Sequence, residues 1–295
     1  MTTCPVAPTR TSQQQIHEGS SFAEAPFSLA TALFDIDGTL VGAQHAISPR
    51  TKSAIEALKA KGVTLGLATG RANFATEAVS KTLGITGPSM FFAGSLIQDL
   101  STGETLYQVE LTHNSITELM RLSADKGYHL ELYTDADYYA ERMTPELTIH
   151  QQYWPRPAKL APLHQVMRDT TIIKAVIMTT VGAGQQKLQT ELNSIPGITV
   201  TYSYGAVHPD VVFANIVDVK ATRTAAFHEL LRINGCSADH VATFGDAEAD
   251  CEFLKLARFG VAMANASDTV KTAASYVTTS VDEGGVGLAI EKLFL

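Results

Sequence analysis

Residues 31–40 read TALFDIDGTL, and this stretch decides the fold. Its first apolar residues suit a short buried strand, and Gly38 then breaks the strand and turns the chain. Asp35 and Asp37 alternate with one apolar residue, so in extended backbone both carboxylates leave the same face of the strand end. In open α/β sheets, ligands bind beyond the carboxyl ends of the strands, which is where this pair is expected.

Two carboxylates that close together repel each other unless a cation or a shared proton neutralises them. A group of Asp side chains and oxygen ligands suits Mg²⁺, a hard cation that keeps several waters. The plainer interpretation is a polar turn after a strand, where Asp and Gly are common. From this stretch alone both interpretations stay open.

Composition indicates an ordinary globular chain of two domains. It has 295 residues, 45% of them hydrophobic and 18% charged,. A formal charge of −8 and the lack of any Lys/Arg-rich run argue against nucleic-acid binding,. No apolar run is long enough to span a bilayer, and three cysteines without metal-type spacing favour a reducing, cytoplasmic location,. Residues 1–28 carry no periodicity and no secretion signal, and we expect a flexible tail there.

Strands and helices alternate with short connections on both sides of a different middle region. A Ser48-capped helix with Pro49 in its first turn extends to Ala60, and the next predicted elements are a strand over 63–68, a helix over 73–83 and a strand over 89–92. The same alternation returns after residue 222, which predicts a doubly wound parallel sheet. The middle, residues 98–217, alternates helices with apolar strands around an irregular aromatic region, 128–162. It predicts an inserted α+β domain.

Three predicted strands end in polar side chains. Asp35 and Asp37 follow one strand, Thr69 follows another, and Asp246 and Asp250 follow a third. The carboxyl ends of parallel strands can converge on one side of a sheet although they lie far apart in sequence. Such convergence is less expected by chance than any single motif.

These motifs resemble the haloacid dehalogenase superfamily, and within it the Cof-like phosphatases with a large α/β cap inserted after the third core strand. The resemblance covers residues 29–295 and rests on five segments: 35–40 (DIDGTL), 68–71 (ATGR), 245–250 (GDAEAD), 261–266 (VAMANA) and 282–286 (DEGGV). It implies a Rossmann-like catalytic core over 29–97 and 218–295 and a cap over 98–217.

The resemblance also implies roles for the strand-end residues. Asp35 would be the nucleophile that becomes an aspartyl phosphate, and Asp37 the general acid and base. Asp246 would complete a Mg²⁺ site with Asp35 and the main-chain carbonyl of Asp37, and Asp250 would support the metal from nearby. Thr69, with the backbone at Gly70, would bind the phosphoryl oxygens.

Three positions depart from the family pattern. Arg223 stands where the family has a phosphate-binding Lys, and Arg can take that role because it stays charged and binds phosphate bidentately. Lys220, three residues earlier, is the rival if the register slips. Ala249 and Ala93 stand where the family usually has Asn, and the first of these removes a polar group near the metal.

The resemblance implies a Mg²⁺-dependent phosphatase of a small phosphorylated metabolite, with sugar phosphates first. Phosphorylated cofactors of the flavin or pyridoxal type come next, then a phosphosugar mutase. The departures keep open a catalytically weakened ligand-binding or regulatory protein. We expect a monomer or homodimer.

A second Asp-x-Asp, at Asp135 and Asp137, predicts a polar hairpin loop, with a substrate-recognition loop as the less favoured interpretation. The histidines, His129 and His150 among them, lack ligand spacing and are predicted to be surface or core residues.

Overall fold

A computed structural model describes residues 28–43, 46–205 and 207–295. Apart from Ser28, the predicted N-terminal tail lies outside the described residues. Within these ranges there are fourteen strands and ten α-helices. The strands are β1 (Thr31–Phe34), β2 (Thr64–Leu67), β3 (Pro88–Phe91), β4 (Leu96–Asp99), β5 (Thr105–Gln108), β6 (Leu130–Tyr133), β7 (Tyr138–Ala140), β8 (Lys159–Leu160), β9 (Lys174–Thr180), β10 (Ile198–Tyr204), β11 (Val211–Asp218), β12 (Val241–Gly245), β13 (Phe259–Ala262) and β14 (Tyr276–Val277). The helices are α1 (Pro49–Ala60), α2 (Glu77–Leu83), α3 (His113–Lys126), α4 (Pro145–His150), α5 (Leu163–Asp169), α6 (Ala183–Leu192), α7 (Arg223–Asn234), α8 (Cys251–Leu256), α9 (Asp268–Ala273) and α10 (Gly285–Phe294).

The chain forms two compact units. The first unit runs to Val63 and resumes at Ser237, and the second unit covers Thr64–Cys236. In the first unit, strands β14, β13, β12 and β1 lie side by side in that order and all pair in parallel. Phe34 and Phe244 stack on neighbouring strands with ring centres 4.8 Å apart. The parallel arrangement predicted for this part of the chain is confirmed.

Helix α1 forms where the sequence predicts it. The Ser48 hydroxyl accepts the Thr51 backbone N–H at 3.1 Å, which satisfies one donor of the first turn, and Pro49 occupies the next position,. Ile55 and Leu58 are fully buried, and α10 packs against α1. This packing fixes the two ends of the first unit against each other.

The second unit contains two sheets with mostly antiparallel pairing. The larger has the order β10-β11-β9-β6-β7-β8, with only its β7–β8 pair parallel, and the smaller has the order β3-β4-β5. Helices α3, α5 and α6 cover one face of the larger sheet through an aliphatic core that includes Leu119, Leu132 and Ile177. An aromatic core that includes Tyr133 and Tyr138 forms a separate cluster. An α+β region is therefore present in the middle of the chain, as predicted.

Two predictions about local structure are wrong. The region 128–162 is not irregular: it contains β6, β7, α4 and β8, and its strands are too short, at two to four residues, for alternation to reveal them,. The helix predicted over 73–83 is interrupted at Thr76, whose hydroxyl donates to the Asn73 carbonyl at 2.7 Å, and α2 begins one residue later. A local side-chain bond therefore ends the first turn.

The boundaries of the two units differ from the predicted domain boundaries. Helix α7 belongs to the second unit because it packs on β3, β4 and β5. The predicted core and cap boundaries rest on resemblance and stay a prediction. None of the described helices is both long and apolar enough to cross a membrane.

Candidate functional site

The loop after β1 places Asp35 and Asp37 in different environments. Strand β1 ends at Phe34, and the Ile36 carbonyl accepts the backbone N–H groups of residues 39, 40 and 41 at 3.3, 3.0 and 2.9 Å. Asp35 is buried, with its N–H bonded to the Phe244 carbonyl at 2.9 Å, whereas Asp37 is exposed. Strand β1 thus ends before the pair, and a tight turn closed by the Ile36 carbonyl carries Asp37. That both carboxylates leave the same face stays a prediction.

Three of the predicted metal residues form a compact group, here called the acidic cluster. One carboxylate oxygen from each of Asp35, Asp246 and Asp250 lies within 4.8 Å of the other two. Asp35 and Asp250 are buried, and Asp246 is half-buried. The structure thus brings together side chains from the ends of β1 and β12, as the strand-end pattern predicts for these residues.

Asp250 shapes the loop that carries Asp246. One oxygen of the Asp250 carboxylate accepts the backbone N–H groups of Asp246 at 3.0 Å and Ala247 at 2.9 Å. These bonds close the loop after β12 and fix where the Asp246 side chain begins. Asp250 is therefore suited to positioning its neighbour.

Two further side chains, for which the sequence motifs predict no role, hold Asp246. Thr39 donates its hydroxyl to one Asp246 oxygen at 3.0 Å, and Asn265 donates its amide to the other at 3.3 Å and to the Gly38 carbonyl at 2.9 Å. The Asn265 oxygen accepts the Val281 N–H at 3.0 Å, which fixes its orientation. Both residues lie inside the motifs at 35–40 and 261–266, so the sequence marks their positions although it does not reveal their contacts with Asp246.

The acidic cluster fits a hard divalent cation. Its donors are all carboxylate oxygens, and three such groups at this distance repel one another unless positive charge neutralises them,. Gly38 has φ +80°, and a Cβ there would lie 2.1 Å from an Asp246 oxygen. The absence of a side chain at Gly38 is what allows the carboxylate to lie against this turn.

In the second unit, Thr69 lies in a loop just after β2. Its hydroxyl accepts the Arg71 backbone N–H at 3.2 Å, and its carbonyl accepts the Ala93 N–H at 3.2 Å. The side chain is 1% exposed, whereas Gly70 is exposed and a Cβ there would meet no atom within 4 Å. Thr69 is thus held rigidly beside an open stretch of backbone.

Gly94 connects this segment to the start of α7. Its φ is +108°, and a Cβ there would lie 2.6 Å from the Thr222 carbonyl oxygen and 3.0 Å from the Arg223 nitrogen. Arg223 is the first residue of α7, after Thr222 as N-cap, and it is half-buried. Lys220 is exposed and lies before the helix. Gly94 thus packs on the backbone at the start of α7, and the choice between Arg223 and Lys220 stays a prediction.

The departure at Ala93 has a visible conformational cost. Ala93 adopts φ +56° and ψ 27°, in the left-handed region that Asn and Gly adopt more readily than Ala,. Phe92 also has a positive φ, of 50°, which explains why β3 ends at Phe91 rather than Phe92. The convergence of Thr69 and Arg223 with the acidic cluster stays a prediction.

The second Asp-x-Asp forms the polar hairpin loop predicted for it. It joins β6 to β7, and the Thr134 N–H donates to the Asp137 carbonyl at 2.9 Å. The Asp137 carboxylate accepts from the exposed Lys159 ammonium at 2.6 Å, and that of Asp135 accepts from the Thr105 hydroxyl at 2.9 Å. Both carboxylates thus have local partners.

Comparison with known proteins gives consistent relatives. The sequence profile of haloacid dehalogenase-like hydrolases matches residues 32–290. The candidate phosphatase YxeH of Bacillus subtilis (strain 168) is 28% identical over 266 residues, which cover 88% of this chain and 97% of YxeH. A hypothetical protein of Geobacillus kaustophilus HTA426 has a solved structure with 25% identity and a TM-score of 0.76, covering 90% of this chain and 98% of that one. The solved structure of BT4131, a sugar phosphatase of subclass IIB, has 24% identity and a TM-score of 0.71, covering 89% of this chain and 98% of its own.

These matches confirm the predicted fold class, a doubly wound α/β core with an inserted α+β region. The profile and the relative YxeH also confirm the predicted enzyme class, a phosphoric monoester hydrolase. Since the profile spans nearly the whole sequence, the chain belongs to the haloacid dehalogenase-like hydrolases.

Proposed function

We propose that the protein is a Mg²⁺-dependent phosphatase that hydrolyses a small phosphorylated metabolite through an aspartyl phosphate on Asp35. The observation that carries the proposal is the acidic cluster, in which a buried, backbone-anchored Asp35 lies beside Asp246 and Asp250. A buried carboxylate with a fixed backbone has the restricted orientation that an in-line attack on phosphorus requires.

Asp35, Asp246 and the Asp37 carbonyl would hold the metal, and Asp250 would keep the Asp246 loop in place. When bound, Mg²⁺ supplies positive charge that offsets the charge of the transferring phosphoryl group. The residues around the site perform the remaining tasks. Thr39 and Asn265 orient Asp246 through hydrogen bonds of 3.0 and 3.3 Å.

Asp37 would act as general acid and then general base. Its exposure leaves it accessible to a leaving alcohol and later to water, whereas Asp35 is buried. In the first step, an Asp35 oxygen forms a bond to phosphorus while the ester bond breaks, and the Asp37 carboxylic acid gives its proton to the leaving oxygen. In the second step, Asp37 takes a proton from the water that attacks phosphorus, and the Asp35 carboxylate is regenerated.

Thr69 and the backbone at Gly70 would bind the phosphoryl oxygens, and Arg223 would supply the fixed positive charge. The rigid Thr69 segment and the packing of Gly94 against the start of α7 support these roles. BT4131, which shares the fold, is a sugar phosphatase, so sugar phosphates are the first substrate class to test. A cytoplasmic location and a monomeric or homodimeric state belong to the same proposal.

The test is phosphate release from a panel of phosphorylated metabolites, with Mg²⁺ and with a chelator. We expect metal-dependent release from a few esters, abolished by Asp35→Asn. The matched control is Asp268→Asn, which makes the same change at an exposed residue of the first unit. Full activity in Asp35→Asn would refute the nucleophile assignment. Metal-dependent binding without turnover, in folded protein, would favour the ligand-binding alternative that the loss of a polar side chain at Ala249 keeps open.

A further inference from the structure

The larger sheet of the second unit contains a buried polar group that no sequence motif predicts. The Glu131 carboxylate is completely buried and accepts hydrogen bonds from His129 at 3.0 Å, His150 at 2.7 Å and Tyr133 at 2.6 Å. The other ring nitrogen of His129 lies 3.0 Å from the Thr144 hydroxyl. Burial by itself would raise the pKa of Glu131, but His150 and the bonds from His129, His150 and Tyr133 lower it to about 2,. The carboxylate is therefore ionised and well supplied with donors.

Lys174 lies next to this group and has a different environment. It pairs with Tyr133 across the β6–β9 ladder and is only 5% exposed. Its ammonium nitrogen lies 5.5 Å from the centre of the Tyr133 ring and 5.7 Å from that of the Phe92 ring,. Among the described residues, no acceptor forms a hydrogen bond with this ammonium and no carboxylate lies within 4.0 Å of it. Burial lowers the pKa of Lys174 to about 8, against the opposing effect of Glu131.

The negative charge of Glu131 explains why a positive charge lies in this region. It does not explain why the Lys174 ammonium lies over two aromatic rings without an acceptor in the described part of the chain. An ammonium carries three N–H donors, and burying them without an acceptor is unfavourable. Glu131 already accepts from three other groups, so Lys174 is not needed to satisfy it. The aromatic rings offset part of the cost of burying the charge and leave the hydrogen-bonding capacity of the ammonium unused.

The ammonium lies near the segment that carries the residues proposed to bind phosphate in the same unit. Phe92 begins the turn Phe92–Gly94, in which the Ala93 N–H donates to the Thr69 carbonyl and Gly94 packs on the backbone at Arg223. Lys174 therefore contacts the segment that connects Thr69 with Arg223. On the proposed function, in which Thr69 and Arg223 bind the phosphate, Lys174 is a largely buried cation of the same unit that lies beside the segment between them.

We propose that Lys174 is a specificity-determining residue that binds a carboxylate on the leaving group of the substrate. The inference rests on the proposed phosphatase function and narrows its substrate class to phosphorylated hydroxy acids, such as sugar acids. A compact carboxylate suits a single ammonium above two aromatic faces, because Lys is a point charge with three donors. No new covalent step is involved, because Lys174 only binds a group of the substrate that does not react.

The experiment compares esters that differ only in the acidic group. The probes are 6-phosphogluconate with sorbitol 6-phosphate, and 3-phosphoglycerate with glycerol 3-phosphate; each pair exchanges a carboxylate for a hydroxymethyl group. We expect the wild type to prefer the acid of at least one pair by tenfold or more in kcat/KM. Lys174→Met should abolish that preference, mainly through a higher KM for the acid, and Lys174→Arg should restore part of it.

The control is Lys159→Met, at an exposed lysine of the same unit that pairs with Asp137, and it should keep the wild-type preference. Hydrolysis of both members of each pair at equal rates by the wild type would overturn the inference and leave the phosphatase proposal intact. A preference that persists in Lys174→Met would also overturn it. No phosphate release from any ester would instead defeat the proposed function. If Lys174→Met does not fold, the wild-type preference and the Lys174→Arg variant still decide the outcome.

Discussion

Replacing Gly38 with Ala tests whether the exact position of Asp246 matters. Gly38 and Gly62 both adopt φ +80° in the first unit, so Ala at either position has the same backbone strain. At Gly62 the new methyl group would meet no atom within 4 Å, whereas at Gly38 it would lie 2.1 Å from an Asp246 oxygen. Gly62→Ala is therefore a matched control that isolates the effect on Asp246.

The expected magnitudes differ for stability and for activity. The positive φ destabilises both variants by roughly 1 kcal/mol. In Gly38→Ala the carboxylate must also move by about 0.9 Å to reach the 3.0 Å that real contacts require, which weakens its 3.0 Å bond from Thr39 and adds about 1 kcal/mol,. A ligand displaced by nearly 1 Å should lower kcat/KM and Mg²⁺ affinity by roughly 10- to 100-fold.

The assays are urea unfolding, Mg²⁺ titration by calorimetry and hydrolysis of a chromogenic phosphate ester. Gly62→Ala should lose stability and keep wild-type Mg²⁺ affinity and turnover. If Gly38→Ala also binds Mg²⁺ and turns over like the wild type, the position of Asp246 is not critical and the metal-site argument is wrong. Equal losses of activity in both variants would assign the effect to backbone strain.

Three other substitutions test separate parts of the argument. Arg223→Ala should lower kcat/KM by roughly 10- to 100-fold, because a charge-assisted contact to the phosphate is lost. Lys220→Ala should change kcat/KM little. If steady-state kinetics give the reverse order, Lys220 has the phosphate-binding role. Ala93→Gly should raise the free energy of unfolding by roughly 0.5 kcal/mol, because Gly adopts the positive φ without strain,. The control Ala57→Gly, within α1, should lower the free energy of unfolding by about 1 kcal/mol,. Denaturant titration measures both changes and distinguishes their signs. The folded pKa of Glu131 is about 2 against 4.5 in the unfolded chain, so its contribution, about 3 kcal/mol, is complete above pH 4.5 and lost as the pH falls toward 2,. Glu131→Gln should therefore be less stable than the wild type at neutral pH, and unfolding curves measured at decreasing pH should show the difference narrowing.

The parts of the fold that could be predicted are those with strong local signals. Helix α1 follows from Ser48, Pro49 and its apolar spacing, and the parallel strands of the first unit follow from apolar runs that end in turn residues. The acidic cluster could be predicted because Asp35 and Asp246 both follow such runs. The tight turn that carries Asp37 could not be predicted, because it depends on hydrogen bonds to the Ile36 carbonyl rather than on a pattern of side chains.

The buried group around Glu131 shows what sequence reasoning misses. His129 and Glu131 are two residues apart, but His150 lies nineteen residues after Glu131, at the end of α4, and only the folded chain brings it to the carboxylate. The histidines have no ligand spacing, and the prediction that they are surface or core residues is consistent with this buried position. Their role could not be predicted from the sequence, because a hydrogen-bond network depends on tertiary packing and tertiary packing leaves no periodic pattern.

The departure at Ala249 can be judged from the bonds that already fix its loop. Ala249 is exposed, and the loop geometry is set by its neighbour Asp250, whose carboxylate accepts the N–H groups of Asp246 and Ala247. Thr39 then holds the Asp246 side chain. We therefore expect Ala249→Asn to change kcat/KM and Mg²⁺ affinity by less than about threefold, since ordinary surface changes shift free energies by about 0.5 kcal/mol. An increase of tenfold or more in kcat/KM would show that the missing amide limits catalysis, and the catalytically weakened alternative would then gain its first direct support.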